Sequence, residues 1–193
     1  GIGVSKYSGM ISTLKKYCNP GETIVEIGCS EGYLLSQLRE AGYTNLIGIE
    51  PGPQAQVAQN MGLTVIQEYF NEHTLSNINI DGFYLMHVFE HFSNPFVILD
   101  AMIKRLSATG KIIIEIPNFG GYHHHHLFFY NIPFLARMFR DRGMAVVETI
   151  CEKDILRIVV TSEHNHRCDN HFFKEESVNI LEWAELMYSM ILL

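Results

Sequence analysis

The segment Glu26-Ile27-Gly28-Cys29-Ser30-Glu31-Gly32-Tyr33 places two glycines between a β-branched run and a helical pattern, where backbone must turn tightly and approach a ligand closely. Its spacing is neither the GxGxxG of dinucleotide folds nor the GxxxxGK[ST] of phosphate loops. Glu26 and Glu31 also make the turn acidic, which disfavours phosphate and favours a cationic ligand. An ordinary strand-to-helix turn would use the same glycines. Roughly 20 residues beyond the first glycine, Glu50 ends a second apolar run, where a carboxylate can accept both hydroxyls of a ribose. The two features together favour an adenosine ligand. Pro51 follows, and Glu68 and Tyr69 close a third run, where they could bound an adenine by hydrogen bonding and stacking or serve simply as loop residues.

A second set of reactive side chains follows a fourth run, in His87-Val88-Phe89-Glu90-His91, and a third lies in His123-His124-His125-His126-Leu127-Phe128-Phe129-Tyr130. Imidazole, with an unperturbed pKa of ~6.5, suits proton removal near neutral pH. His91 fits that role or a structural one, capping the helix that follows. Four successive histidines cannot all enter one pocket, so most of the 123–126 run faces solvent. His164, His166, Cys168 and His171 have a spacing that could hold zinc, but it matches no structural zinc pattern; a substrate loop fits better, and no metal is expected.

These residues must be positioned by the elements between them. Thr23-Ile24-Val25-Glu26-Ile27 reads as a strand and residues 33–40 as a helix, with Leu34, Leu35 and Leu38 at helical spacing. Residues 46–50 read as a strand, 53–61 as a helix, 64–67 as a short strand, 82–86 as a strand, 95–106 as a helix and 111–116 as a strand ended by Pro117. Residues 133–142 then read as a helix. Residues 144–152 and 155–161 look like two strands whose short connection suits an antiparallel pair. Repeated strand–helix units give a parallel sheet with helices on both faces, and ligands of such sheets sit beyond the carboxyl ends of the strands. Every residue named above as reactive falls at such an end or after the last βα unit.

The 193 residues suit one domain, with residues 1–20 as an N-terminal helical cap and residues 162–193 as a C-terminal loop and helix. The amphipathic pattern of residues 178–192, with Trp183, Leu186, Met187 and Met190, packs on the domain or on a second copy of the chain, so a homodimer is one expectation. A formal charge of −7, without a Lys/Arg-rich run, argues against a nucleic-acid partner. No apolar run approaches the ~20 residues needed to span a bilayer, so no membrane partner is expected. Cys18, Cys29, Cys151 and Cys168 lack CxxC spacing and read as reduced thiols of a cytoplasmic protein. The chain opens on Gly1 and stops within Met190-Ile191-Leu192-Leu193, as a piece of a longer protein would.

Four segments in order carry a family resemblance: Val25 through Tyr33, Ile47-Gly48-Ile49-Glu50-Pro51, His87-Val88-Phe89-Glu90-His91-Phe92-Ser93-Asn94-Pro95 and Ile114-Glu115-Ile116-Pro117-Asn118. They resemble successive motifs of class I S-adenosylmethionine-dependent methyltransferases, closest to the branch holding ubiquinone-type O-methyltransferases and sugar C- or N-methyltransferases. The resemblance implies a Rossmann-like, seven-stranded, mostly parallel sheet with an antiparallel closing strand. It also implies S-adenosylmethionine held across the first, second and fourth strand ends, by Glu26, Gly28, Cys29, Ser30, Gly32, Tyr33, Glu50, Pro51, Glu68, Tyr69 and His87. Ser30 stands where a second glycine is commoner, and Ala108-Thr109-Gly110 stands where the family has a Pro-Gly-Gly turn. In the sugar C-methyltransferases a segment after the fifth strand carries Glu-His beside a Tyr, which nominates His126 as the base that deprotonates a small-molecule acceptor such as a sugar or sugar nucleotide; His91, after the fourth strand, is the second candidate. Glu26 would face the cofactor's ammonium. Two rival readings are a catalytically silent cofactor-binding module and a nicotinamide-dependent oxidoreductase, and the second fails on the missing GxGxxG.

Overall fold

The computed structural model describes residues 2–118, 127–152 and 154–162 and opens on helix α1 (Ile2–Tyr17). Strand β1 (Thr23–Ile27) and helix α2 (Tyr33–Glu40) occupy the residues their patterns predict, separated by the glycine turn. Strand β2 (Asn45–Ile49), helix α3 (Gln54–Asn60), the two-residue strand β3 (Val65–Ile66) and strand β4 (Ile80–Met86) follow. A 3-10 turn (Phe89–His91) leads into helix α4 (Pro95–Arg105). Strand β5 (Leu106–Pro117), helix α5 (Ile132–Arg140) and strands β6 (Ala145–Cys151) and β7 (Ile155–Thr161) complete the described chain.

The seven strands form one sheet in the order β3-β2-β1-β4-β5-β7-β6. Strands β1 to β5 pair in parallel, and β7 runs antiparallel to both β5 and β6, so the expected closing pair contributes one reversed strand. Alternation along each strand divides the core into two faces. Val25, Phe83, Leu85, Ile112, Ile114 and Ile158 pack against α4 and α5, whereas Ile24, Tyr84, Ile113 and Val159 pack against α1 and α2. Asparagines start the two helices on the first face. Asn94 and Asn131 accept hydrogen bonds from the backbone N–H groups of Val97 and Phe134, caps worth ~1 kcal/mol each.

One expectation needs correction. Ala108-Thr109-Gly110, read as a turn between α4 and β5, lies within β5. Leu106 pairs with Ile80, and the next register pair is Lys111 with Gly82, so residues 107–110 bulge out of the ladder. A Cβ on Gly110 would fall 2.5 Å from Leu106 Cγ, and the Ser162 hydroxyl bonds the Ser107 and Gly110 carbonyls. The bulge is thus fixed by the end of β7, a partner distant in sequence.

Candidate active site

The glycine turn is built from left-handed backbone. Gly28 and Gly32 have φ of +79° and +77°, and a Cβ at Gly28 would lie 2.4 Å from Val88 Cγ2. Only glycine fits both the dihedral and the space. Ser30, between them, also takes a left-handed φ of +49°, which explains physically why glycine is the commoner residue there. Glu50 clamps this turn to the end of β2. Its carboxylate accepts from Ser30 N at 3.0 Å and from Gly52 N at 2.7 Å.

Below the turn, Glu26 is buried and accepts a hydrogen bond from Tyr84 Oη at 2.8 Å. Burial pushes the Glu26 carboxyl up to about 8; the Glu50 charge adds to the rise and the Tyr84 hydrogen bond opposes it. The group is therefore largely protonated at neutral pH. A cation entering beside it would supply the charge that lets it ionise. Glu26, Gly28, Cys29, Ser30, Glu31, Tyr33, Leu34, Met86, His87, Val88 and, from α1, Tyr7 line one cavity of about 330 Å³. Burial pushes the Cys29 thiol up to about 12, so it lines the cavity as a neutral, apolar group. The Tyr7 and Tyr33 rings meet at 4.7 Å between centroids.

Paired charges lie behind His87, outside the cavity lining. Glu115, at the end of β5, forms a buried ion pair with Arg157 of β7, through Arg157 Nε at 2.7 Å and Nη2. Arg157 Nη1 reaches across to α1, donating to the Gly9 carbonyl at 3.2 Å and to Thr13 Oγ1 at 3.0 Å. Glu90, on the 3-10 turn, is buried, and burial raises its carboxyl above the ordinary glutamate range. His87 lies between Glu115 and Glu90, and His91 lies on the outer side of Glu90 at 3.9 Å.

Among the residues anticipated from sequence, Glu26, Gly28, Cys29, Ser30, Tyr33 and His87 thus share one cavity. Gly32 turns the chain behind it, and Glu50 reaches it through Ser30 N. Pro51 is exposed beside Glu50; Glu68 accepts from Thr74 Oγ1, and the Tyr69 ring is 78% exposed, so these last three stand outside the cavity lining. His91 is partly exposed and does not line the cavity. His126, the rest of the 123–126 run, the zinc-like spacing from His164 to His171 and the amphipathic residues 178–192 lie outside the described residues. Tyr7 and Arg157 were not anticipated. An aromatic on a terminal helix and an Arg in a strand carry no local signal, since each acts through a partner distant in sequence. Among the described residues no group of three or more His, Cys, Asp or Glu could hold a metal ion, and no helix is long and apolar enough to cross a membrane.

Sheet order, the single reversed strand and a cavity at the ends of β1 and β4 define a Rossmann-like methyltransferase fold. A family profile described as a methyltransferase domain matches residues 5–149, and the chain belongs to that family, as a class I S-adenosylmethionine-dependent methyltransferase. No curated protein matches it by sequence. Among solved structures it is similar to magnesium protoporphyrin IX methyltransferase from Synechocystis PCC 6803 with bound SAH. That match has 12% identity and a TM-score of 0.66 over 81% of this chain and 82% of that one. It is also similar to SAM-dependent methyltransferases from Aquifex aeolicus (15%, TM-score 0.60, 78% and 87%) and Archaeoglobus fulgidus (14%, TM-score 0.64, 83% and 98%). At these identities the likeness speaks for the fold.

Proposed function

We propose that the chain transfers the methyl group of S-adenosylmethionine to an oxygen, nitrogen or carbon nucleophile of a small molecule. One observation carries the assignment of the cavity: a buried, largely neutral Glu26 beneath an acidic glycine turn is complementary to a cation and not to a phosphate. In this reading Glu26 faces the cofactor's ammonium, and the turn of Gly28, Cys29, Ser30, Gly32 and Tyr33 shapes the cradle. Glu50 and Pro51 serve the ribose, Glu68 and Tyr69 the adenine, and His87 closes the side toward β4. When bound, the cofactor supplies an activated methyl group. The protein's task is to align it, exclude water and remove the acceptor's proton.

The acceptor enters over residues 122–130, and a histidine at this end of the sheet takes its proton; His126, which the family resemblance nominates, is the first choice and His91 the second. That resemblance, through the motifs after β4 and β5, also extends the proposal to a sugar or sugar nucleotide. The scattered thiols, of which Cys18 and Cys29 are free and buried, support a cytoplasmic setting. Calorimetry tests the cofactor: S-adenosylmethionine and S-adenosylhomocysteine are expected to bind with about −4 to −8 kcal/mol. Binding of NAD with neither of these at millimolar concentration would refute the reading. Tritium-methyl transfer to a panel of sugar nucleotides tests the acceptor class.

A further inference from the structure

Tyr7 belongs to α1, far in sequence from the strand ends, yet it lines the cavity together with Glu26 and the glycine turn. Helical spacing explains how. Tyr7, Met10 and Leu14 fall at i, i+3 and i+7, on one stripe of the helix. Met10 and Leu14 are fully buried in the cluster with Tyr84, Ile113 and Val159, so the stripe that seats α1 on the sheet also carries Tyr7 to the cavity. Arg157 fixes the next turn of the helix through the Gly9 carbonyl and Thr13 Oγ1, and Lys16 pairs with Glu148 at 2.6 Å. The Tyr7 ring meets that of Tyr33, the first residue of α2, at 4.7 Å between centroids with the planes at 35°. Both rings border a cavity whose floor is the buried Glu26.

S-Adenosylmethionine brings two positive charges, an ammonium and a sulfonium. Glu26 offers one buried carboxyl, and Glu31, the other carboxylate of the lining, is exposed to solvent. The sulfonium charge vanishes as the methyl group leaves. A carboxylate held against it would therefore stabilise the ground state more than the transition state and slow the transfer. A ring face attracts a cation through its quadrupole, without a fixed charge and by a modest amount, which suits a charge that must disappear.

We propose that the Tyr7 ring, backed by Tyr33, receives the sulfonium and is the means by which the chain favours S-adenosylmethionine over S-adenosylhomocysteine. The two ligands share the ammonium, the ribose and the adenine. They differ at sulfur, a cation in the first and a neutral thioether in the second. A contact that attracts only the cation holds the methyl donor and lets the demethylated product go. Helix α1 is thereby part of the cofactor site, and its attachment to Arg157 keeps the ring in place.

The inference rests on the methyltransferase reading, and calorimetry on the full chain, with the two ligands side by side, tests it. Tyr7→Leu removes the ring and keeps an apolar side chain. It is expected to weaken S-adenosylmethionine about 3- to 30-fold and S-adenosylhomocysteine less than about twofold, the second value also showing that the cradle is folded. Tyr7→Phe keeps the ring face and should hold both affinities within about twofold. Phenylalanine carrying one, two and then three ring fluorines at position 7 keeps the shape of that side chain while draining negative charge from its face. The series should weaken S-adenosylmethionine stepwise and leave S-adenosylhomocysteine unchanged, and it decides the matter even where Tyr7→Leu does not fold. Equal losses for the two ligands in Tyr7→Leu, or an S-adenosylmethionine affinity indifferent to the fluorines, would overturn the proposal. An unmodified chain that binds neither ligand would refute the methyltransferase reading and this inference with it. Normal binding of both ligands with no dependence on the ring would refute the inference alone.

Discussion

The cavity lining and the charges packed behind it are built by different physics. The wall at the ends of β1 and β2 is a backbone construction, with left-handed residues, amides pinned by Glu50 and a single buried carboxyl at its base. The wall behind His87, at the ends of β4 and β5, is a side-chain construction outside the cavity lining, in which Glu90, Glu115 and Arg157 are buried. A backbone cradle suits a ligand of fixed shape, since it changes only if the chain refolds.

The largest effect is expected where that second wall is cut. Arg157→Ala leaves Glu115 buried without its partner and frees α1 from Gly9 and Thr13, so unfolding stability should fall by about 3–5 kcal/mol in a denaturant titration. The double variant Glu115→Gln with Arg157→Met sharpens the point, for removing both charges should restore most of that loss. Equal losses in the two variants would mean that packing, and not charge, holds the wall.

The next effect belongs to the first wall. Glu50→Ala should weaken S-adenosylhomocysteine binding by about 1.5–3 kcal/mol in calorimetry, through the lost charge-assisted bonds, with little change in stability. Unchanged affinity would assign Glu50 to the protein's own amides alone. Smallest is Ser30→Gly, which relieves a left-handed Ser against a more flexible unfolded chain. It should raise stability by no more than about 1 kcal/mol in thermal unfolding and leave affinity nearly intact. A loss of affinity there would give the Ser30 side chain a role in binding.

The same division decided what could be read from the sequence. The backbone wall is local: a β-branched run, two glycines and a leucine-spaced helix stand within 18 residues, and β1 and α2 occupy the residues their pattern marks. Strand β7 was equally legible, since its apolar run is bounded by turn residues. Residues 107–110 were not, because their bulge is set by Ile80 and by the Ser162 hydroxyl, and a Gly-containing triplet reads as a turn when seen alone. Nor could Glu115 be recognised as the partner of Arg157, or Tyr7 as part of the cavity, for these contacts arise only once β5, β7 and α1 are assembled. His87 was visible as a strand-end residue, but its left-handed backbone and its two carboxylate neighbours were not.

A cavity that takes a cation against Glu26 must couple binding to that group's proton, and proton linkage reads this out. With its folded value near 8 and an ordinary glutamate value of ~4.3 in the unfolded chain, Glu26 favours the folded state fully below that lower value. This contribution is lost as pH rises toward 8, and Glu90, raised by burial, acts with the same sign. A bound ammonium should let Glu26 ionise. S-Adenosylmethionine binding near neutral pH, followed by calorimetry in two buffers of different ionisation enthalpy, should therefore release close to one proton per chain, a release largely lost in Glu26→Gln. Tight binding with no proton released, or with the same release in Glu26→Gln, would show that no cation sits against Glu26.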